Sequence, residues 1–222
     1  MKIAANIEIL ETGSLYPVLI WDNTDVVLID TGFPGQFELL QDEIVRCGFK
    51  ADQITKVILT HQDADHVGSA KILSGIGAKI MAYQDEVPYI QGDKTPVKIA
   101  AMEAQLDKLS PDQLAFYKRM KAGMSNFFTH VDHQLADGET IPVCGGIKVV
   151  HTPGHTPGHM ALLLCESGVL VCGDAANICD GKLCGANPEH TVDIETAEAS
   201  FKIITSVDAN GYICYHGGYL AK

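Results

Sequence analysis

Four side chains able to bind a metal fall within six residues of the stretch Thr60-His61-Gln62-Asp63-Ala64-Asp65-His66. They are the imidazoles of His61 and His66 and the carboxylates of Asp63 and Asp65. The apolar run Val57-Ile58-Leu59 before them has the character of a buried strand, and residues 67–73 after them have that of a helix. A turn between strand and helix lets side chains from a rigid edge converge. The helix N-terminus adds partial positive charge, which keeps Asp63 and Asp65 in their ionised, ligating form. Later in the chain, His155, Asp174 and His216 each lie in a loop that follows a predicted strand. One sheet edge could therefore gather all seven. Imidazole with carboxylate suits zinc, iron or manganese, and the absence of cysteine from the cluster excludes a thiolate zinc site. Seven donors are too many for one tetrahedral ion and suit two, with Asp174, central in the ordering, as the natural bridge. Two such ions would hold a bridging hydroxide and clamp a polarised carbonyl or phosphoryl oxygen.

The elements that must position these loops follow from the apolar pattern. Residues 2–30 predict three strands, the last being Val26-Val27-Leu28-Ile29 running into the turn signal Asp30-Thr31-Gly32. A helix is expected over 34–47, with Phe37, Leu40, Ile44 and Val45 at helical spacing and Gly48 as its stop. The central strand and cluster, the helix after them and a strand over 78–83 complete an alternation that implies an α/β layered fold. Residues 84–128 differ in character. Their prolines punctuate two expected helices, 97–109 and 111–123, the second with Ser110 as N-cap. They form a helical insertion within a single domain spanning 1–222. Its Met102, Leu106, Phe116, Tyr117, Met120, Met124, Phe127 and Phe128 make either a satellite core or the wall of an apolar substrate pocket. Beyond His130 the pattern predicts strands over 131–135, 147–150, 160–164 and 169–172, a helix over 193–206 and a closing strand over 212–215. Val57-Ile58-Leu59-Thr60-His61 and Val149-Val150-His151-Thr152 both run from an apolar strand into a His-bearing loop, as two similar halves meeting at one edge would.

Length and composition bound the partners. A chain of 222 residues can bury a substantial core, and a formal net charge of −12 argues against nucleic-acid backbones and anionic membranes. No run approaches the roughly 20 apolar residues of a membrane span, and the N-terminus lacks the apolar core of a signal peptide. The expected partner is a small-molecule substrate, and a homodimer could form through the apolar insertion. The seven cysteines are odd in number and form no CxxC pair, which suggests reduced thiols in a cytoplasmic protein, with Cys165 and Cys172 as core residues.

At these residues the chain resembles the metallo-β-lactamase superfamily. The matching stretches are Leu28-Ile29-Asp30-Thr31-Gly32, Thr60 through Gly68, Thr152-Pro153-Gly154-His155-Thr156-Pro157-Gly158-His159, Gly173-Asp174 and His216-Gly217-Gly218, in the family's order. The resemblance implies an αββα sandwich with a dinuclear site. It places one metal at His61, Asp63 and His155 and a second at Asp65, His66 and His216, with Asp174 shared. Asp65 would also handle the proton of the leaving group, and Asp30 would orient a ligand histidine. The family's common pattern is HxHxDH, whereas this chain reads HxDxDH. A third carboxylate lowers the charge of the loaded site by one unit and replaces a borderline ligand with a hard one. Zinc is the expected metal, and Asp63 makes iron or manganese competitive.

Two functions follow as expectations. The first is a metal-dependent hydrolase of a small ester, lactone or thioester, acting through a metal-bound hydroxide. The second is a di-iron protein that binds or reduces dioxygen without a fused flavodoxin domain, favoured by Asp63. No GxSxG nucleophile motif competes. His159 is expected in a buried structural hydrogen bond, His151 at a strand end, and His130, His133 and His190 on the surface. Asn177, Lys182 and Asn187 lie on the loop after Asp174, either as part of a plain solvated loop, the expected case, or within reach of substrate.

Overall fold

Val57 and Leu59 leave their strand on one side and Ile58 on the other, and this alternation sorts the apolar residues into separate cores. A computed structural model describes residues 1–222. One sheet contains β1 (Lys2–Ala4), β2 (Ile7–Ile9), β3 (Val18–Trp21), β4 (Val26–Ile29), β5 (Lys56–Leu59), β6 (Lys79–Tyr83) and β7 (His133–Leu135) in chain order. Its first four strands are antiparallel, and β4 through β7 are parallel. From β8 (Thr140–Ile141) the chain continues through β9 (Ile147–His151), β10 (Met160–Leu164) and β11 (Val169–Val171). It then forms the hairpin of β12 (Ala176–Cys179) and β13 (Lys182–Gly185), and ends with β14 (Gly211–Cys214) and β15 (Gly218–Ala221). The second sheet has the order β15-β14-β11-β10-β9-β8, with β11 and β14 parallel.

The two sheets face each other across a core that includes Ile29 and Ile58 from the first and Val149, Leu162 and Ile213 from the second. The helices are α1 (Phe37–Arg46), α2 (Ala64–Val67), α3 (Ala70–Gly75), α4 (Val87–Ile90), α5 (Val97–Glu103), α6 (Pro111–Gly123) and α7 (Ile194–Ser206). Leu40, Ile44, Leu73 and Ile99 cover the outer face of the first sheet beside Leu28, Val57 and Leu59. Ile204 of α7 covers the outer face of the second beside Leu170 and Tyr212. The layers are helix, sheet, sheet, helix. The sheets are joined at the end where β5 finishes, because Met160 N donates to Thr60 O at 3.1 Å. No helix is long and apolar enough to cross a membrane.

Several elements depart from the pattern-based expectation. The first thirty residues hold four strands, not three. The helix after the cluster begins earlier and is broken into α2 and α3, so Asp65 and His66 lie on helix and not in the turn. Gly68 explains the break: a Cβ there would sit 2.2 Å from Phe33 C and Pro34 N, so the chain is pressed onto the loop after β4. The hairpin β12–β13 replaces the solvated loop expected after Asp174. Cys179 and Cys184 form a disulfide across it, which corrects the expectation of uniformly reduced thiols. Cys172 is buried as expected, whereas Cys165 is exposed.

Asp22 links the two sheets at the far end. Its carboxylate accepts from Asp25 N and Thr24 N at 2.7 Å each and from Cys144 N at 2.8 Å. Those backbone donors, Asp25 first, hold its pKa below the ordinary 3.8. A depressed carboxylate stabilises the fold above its unfolded pKa and ceases to as pH falls through the folded value. Asp22→Ala is therefore expected to lower the urea midpoint at neutral pH, with the gap to wild type closing below pH 3.8. A gap of constant size down to strong acid would refute this role.

Candidate metal centre

The C-terminal ends of β4, β5, β11 and β14 point to the same edge of the sandwich, and the loops leaving them meet there with the loop that joins β9 to β10. All seven residues singled out in the sequence are brought together. His61, Asp63 and His155 form one group: Asp63 Oδ2 lies 3.2 Å from His61 Nε2 and 3.1 Å from His155 Nε2. Asp65, His66 and His216 form another, with Asp65 Oδ2 3.4 Å from His216 Nε2 and 3.8 Å from His66 Nε2. Asp174 reaches both. Its Oδ1 is 3.4 Å from His66 Nε2, and its Oδ2 is 3.3 Å from the Nε2 atoms of His155 and His216.

Three atoms of this set, His61 Nε2, His66 Nε2 and Asp174 Oδ1, are buried and have no hydrogen-bond partner in the protein. Buried polar atoms are nearly always paired, so three orphans of ligand type facing one another fit a bound cation. The opposite ring nitrogens are fixed. His66 Nδ1 donates to Asp30 Oδ2 at 2.9 Å, and His61 Nδ1 lies 3.0 Å from Thr60 Oγ1. These bonds leave each Nε2 lone pair free for a metal. Asp30 also accepts from Thr60 N and Thr60 Oγ1 at 2.8 Å each. It holds φ at +60°, a backbone conformation that costs a non-glycine residue energy and recurs at functional sites.

The electrostatics follow from packing carboxylates and imidazoles out of water. Burial pushes His61 down to about 4, so it is neutral. Burial would lower His66 too, but Asp30, Asp174 and Asp65 outweigh it and raise the pKa well above 6.5. His216 is carried up to about 9, because Asp174 and Asp65 outweigh its burial. Burial opposes the ionised forms of Asp63 and Asp174, yet His61, His155 and Lys98 around the first and His66, His216 and His155 around the second keep both well below 3.8. The pocket thus holds anionic oxygens that a cation would satisfy.

His159 is no part of this set, because both its nitrogens are used. Nδ1 pairs with Thr152 Oγ1 at 2.8 Å, and Nε2 accepts from Asp174 N at 3.0 Å. His151 stacks on Tyr83, with ring centroids 4.3 Å apart, while His130, His133 and His190 are exposed. Asn177 and Asn187 border the cleft above the centre, and Lys182 is exposed. That cleft has a volume of about 790 Å³, and Phe33, Ile99, Met102, Phe116, Met120 and Phe127 supply its apolar wall. The insertion therefore serves both roles: Met124 and Phe127 are buried in the core against the first sheet, and Met102 and Phe116 face the cleft.

Sequence reasoning missed three further residues. The Tyr215 hydroxyl donates to Asp65 O at 2.6 Å and accepts from Gly32 N at 3.1 Å, and its ring lies 3.9 Å from that of His66. Glu86, fully buried, accepts from Gln62 N at 2.8 Å and Gln62 Nε2 at 2.9 Å. Its other oxygen accepts from Gly158 N at 2.6 Å, tying the two histidine-bearing loops together. Lys98, on α5, bonds to Asp63 Oδ2 and lies 2.9 Å from His155 Nε2. Only Tyr215 had a local signal, its place beside His216.

Comparison with known proteins places this geometry. Residues 13–216 match the family model of the metallo-beta-lactamase superfamily. The probable metallo-hydrolase YflN of Bacillus subtilis (strain 168) is 30% identical over 205 residues, which are 86% of this chain and 75% of that protein. An N-acyl homoserine lactonase of a Bacillus species is 25% identical over 183 residues, 70% of this chain and 62% of that protein. The crystal structure of a metallo-beta-lactamase family protein from Thermus thermophilus superposes with a TM-score of 0.76 at 21% identity. That superposition covers 99% of this chain and 76% of the other.

Proposed function

Since this chain belongs to the metallo-beta-lactamase superfamily and is a hydrolase, we propose that it cleaves small esters, lactones or thioesters that carry an apolar arm. The observation that carries this reading is the set of orphaned ligand atoms, His61 Nε2, His66 Nε2 and Asp174 Oδ1, at the floor of a cleft with apolar walls. The seven donors provide two neighbouring cation positions, one at His61, Asp63 and His155, the other at Asp65, His66 and His216, with Asp174 between them. Four imidazoles and three carboxylates suit zinc. A divalent ion there lowers the pKa of water and polarises a carbonyl oxygen when bound.

The chain's own residues do the remainder. Phe33, Met102, Phe116 and Met120 would seat the acyl arm and exclude water from it. Asp65 is held ionised because His66 and His216 outweigh the cost of its burial, so it can take up a proton and return it to the leaving group. Asp30 and Tyr215 fix His66 and the backbone of Asp65. The lactonase among the relatives supports a carbonyl substrate, and the net charge of −12 disfavours a nucleic acid. The di-iron reading leaned on Asp63 as a hard ligand, and that carboxylate is shared with Lys98.

The test compares chelator-treated protein with the same sample reloaded with zinc, on a panel of esters, lactones and thioesters of increasing acyl length. Hydrolysis is expected only in the loaded sample, with kcat/KM rising as the chain lengthens. A zinc-loaded protein inert toward all three classes, or hydrolysis indifferent to the chelator, would overturn the reading.

A further inference from the structure

We propose that the ammonium of Lys98 is the resident cation of the first position, so that the centre holds one metal ion and one lysine. The inference rests on the metal-hydrolase reading above and deepens it.

Lys98 Nζ bonds to Asp63 Oδ2 and lies 2.9 Å from His155 Nε2, which are two of the three donors of that position. An ammonium can only donate, so His155 Nε2 accepts, and its single lone pair is then not free for a metal. The second position differs. His66 Nε2 and Asp174 Oδ1 are buried there without any partner, whereas at the first position, where Lys98 meets Asp63 and His155, only His61 Nε2 is left without one. The two positions look alike in the sequence, and only the first is engaged by a basic side chain.

Charge gives the same answer. Where the family's common pattern has a neutral histidine, this chain has Asp63, one extra negative charge in a buried centre. The Lys98 ammonium returns one positive charge, so the Asp63–Lys98 pair is neutral overall, as the histidine would be. Without a partner, a buried carboxylate carries a large desolvation cost.

Lys98 is also held in place. Val97 N donates to Gln62 Oε1 at 2.9 Å, which ties the first turn of α5 to the loop that carries Asp63. Gln62 is itself fixed by Glu86, and Ile99 is buried in the core on the next residue of the helix. The Lys98 side chain lines the cleft and is 26% exposed, so its remaining N–H groups face the space where substrate would lie. There it would donate to a carbonyl oxygen as that oxygen gains charge, the part a second metal would otherwise play.

The experiment is metal counting. Wild type, K98M and K98R are equilibrated with excess zinc, freed of unbound metal and analysed for zinc per chain, with thermal melts to show that each is folded. One zinc is expected in wild type and in K98R, which keeps the charge, and two in K98M. Two zinc in wild type, or one in both wild type and K98M, would overturn the proposal and leave the hydrolase reading standing. No zinc in any of the three would instead sink the hydrolase reading, and this inference with it.

Discussion

Asp174→Ala is expected to lower kcat/KM by about 10³ or more and to empty the centre of zinc under conditions where wild type retains it. Asp174 is the one side chain that reaches both donor groups, through His66 Nε2 on one oxygen and His155 and His216 Nε2 on the other. Its position is set twice. Its N–H donates to His159 Nε2 at 3.0 Å, and Gly173 before it takes φ +53°, with a Cβ there falling 2.6 Å from the same nitrogen. Burial disfavours its charge, but His66 first, then His216 and His155, hold the carboxylate well below its ordinary pKa. Removing it takes away the anion that those three imidazoles share. A loss of several kcal/mol of transition-state stabilisation is about three decades in rate. Asp174→Asn keeps the shape and removes the charge, so it should fail nearly as badly. An asparagine variant with near wild-type zinc content and rate would show that Asp174 acts by packing alone.

Most residues of the centre were legible because they follow a short strand that is buried almost throughout, β9 before His155, with Lys148 exposed, being the exception. Val57, Ile58 and Leu59 are fully buried, and so are Ile213 and Cys214 before His216, so their apolar runs stand out and mark where a loop must begin. The place of Asp30 beside His66 followed from the family's order of motifs. Other features depend on contacts that no local pattern encodes. The break between α2 and α3 comes from Gly68 meeting the backbone of residues 32–34, some thirty-five residues earlier in the chain. Lys98 looks like any solvated lysine on α5, and what turns it inward is the bond from Val97 N to Gln62 Oε1. The hairpin β12–β13 did carry a signal. Asp180-Gly181, both at positive φ, sit between Ile178 and Leu183, the pairing of turn and strand residues that favours a two-residue hairpin loop.

Glu86→Ala is expected to cost about 3 kcal/mol or more of stability, because it leaves two buried backbone donors unpaired at about 1–3 kcal/mol each. Those donors are Gln62 N and Gly158 N, on the two loops that carry His61 and His155. Glu86 is the one carboxylate that accepts from both of these backbone donors. The same change should loosen zinc binding by about 10- to 100-fold, the usual effect of removing a group that positions ligands. Burial pushes the Glu86 carboxyl above its ordinary 4.5, and the hydrogen bonds from Gln62 and Gly158 pull it only part of the way back. With the folded pKa raised, the native state binds this proton more readily than the unfolded chain does. The group therefore contributes stability that is full below 4.5 and fades as pH rises through its folded value. Glu86→Gln removes that pH dependence but keeps only one acceptor, so it should fall between wild type and the alanine variant at neutral pH. Urea titrations at pH 4.5 and pH 7, paired with zinc affinity, separate these effects. An alanine variant as stable as wild type would mean that water replaces the carboxylate between the loops. A stable variant that had nonetheless lost zinc would make Glu86 a positioning residue alone, one whose charge contributes nothing to the fold.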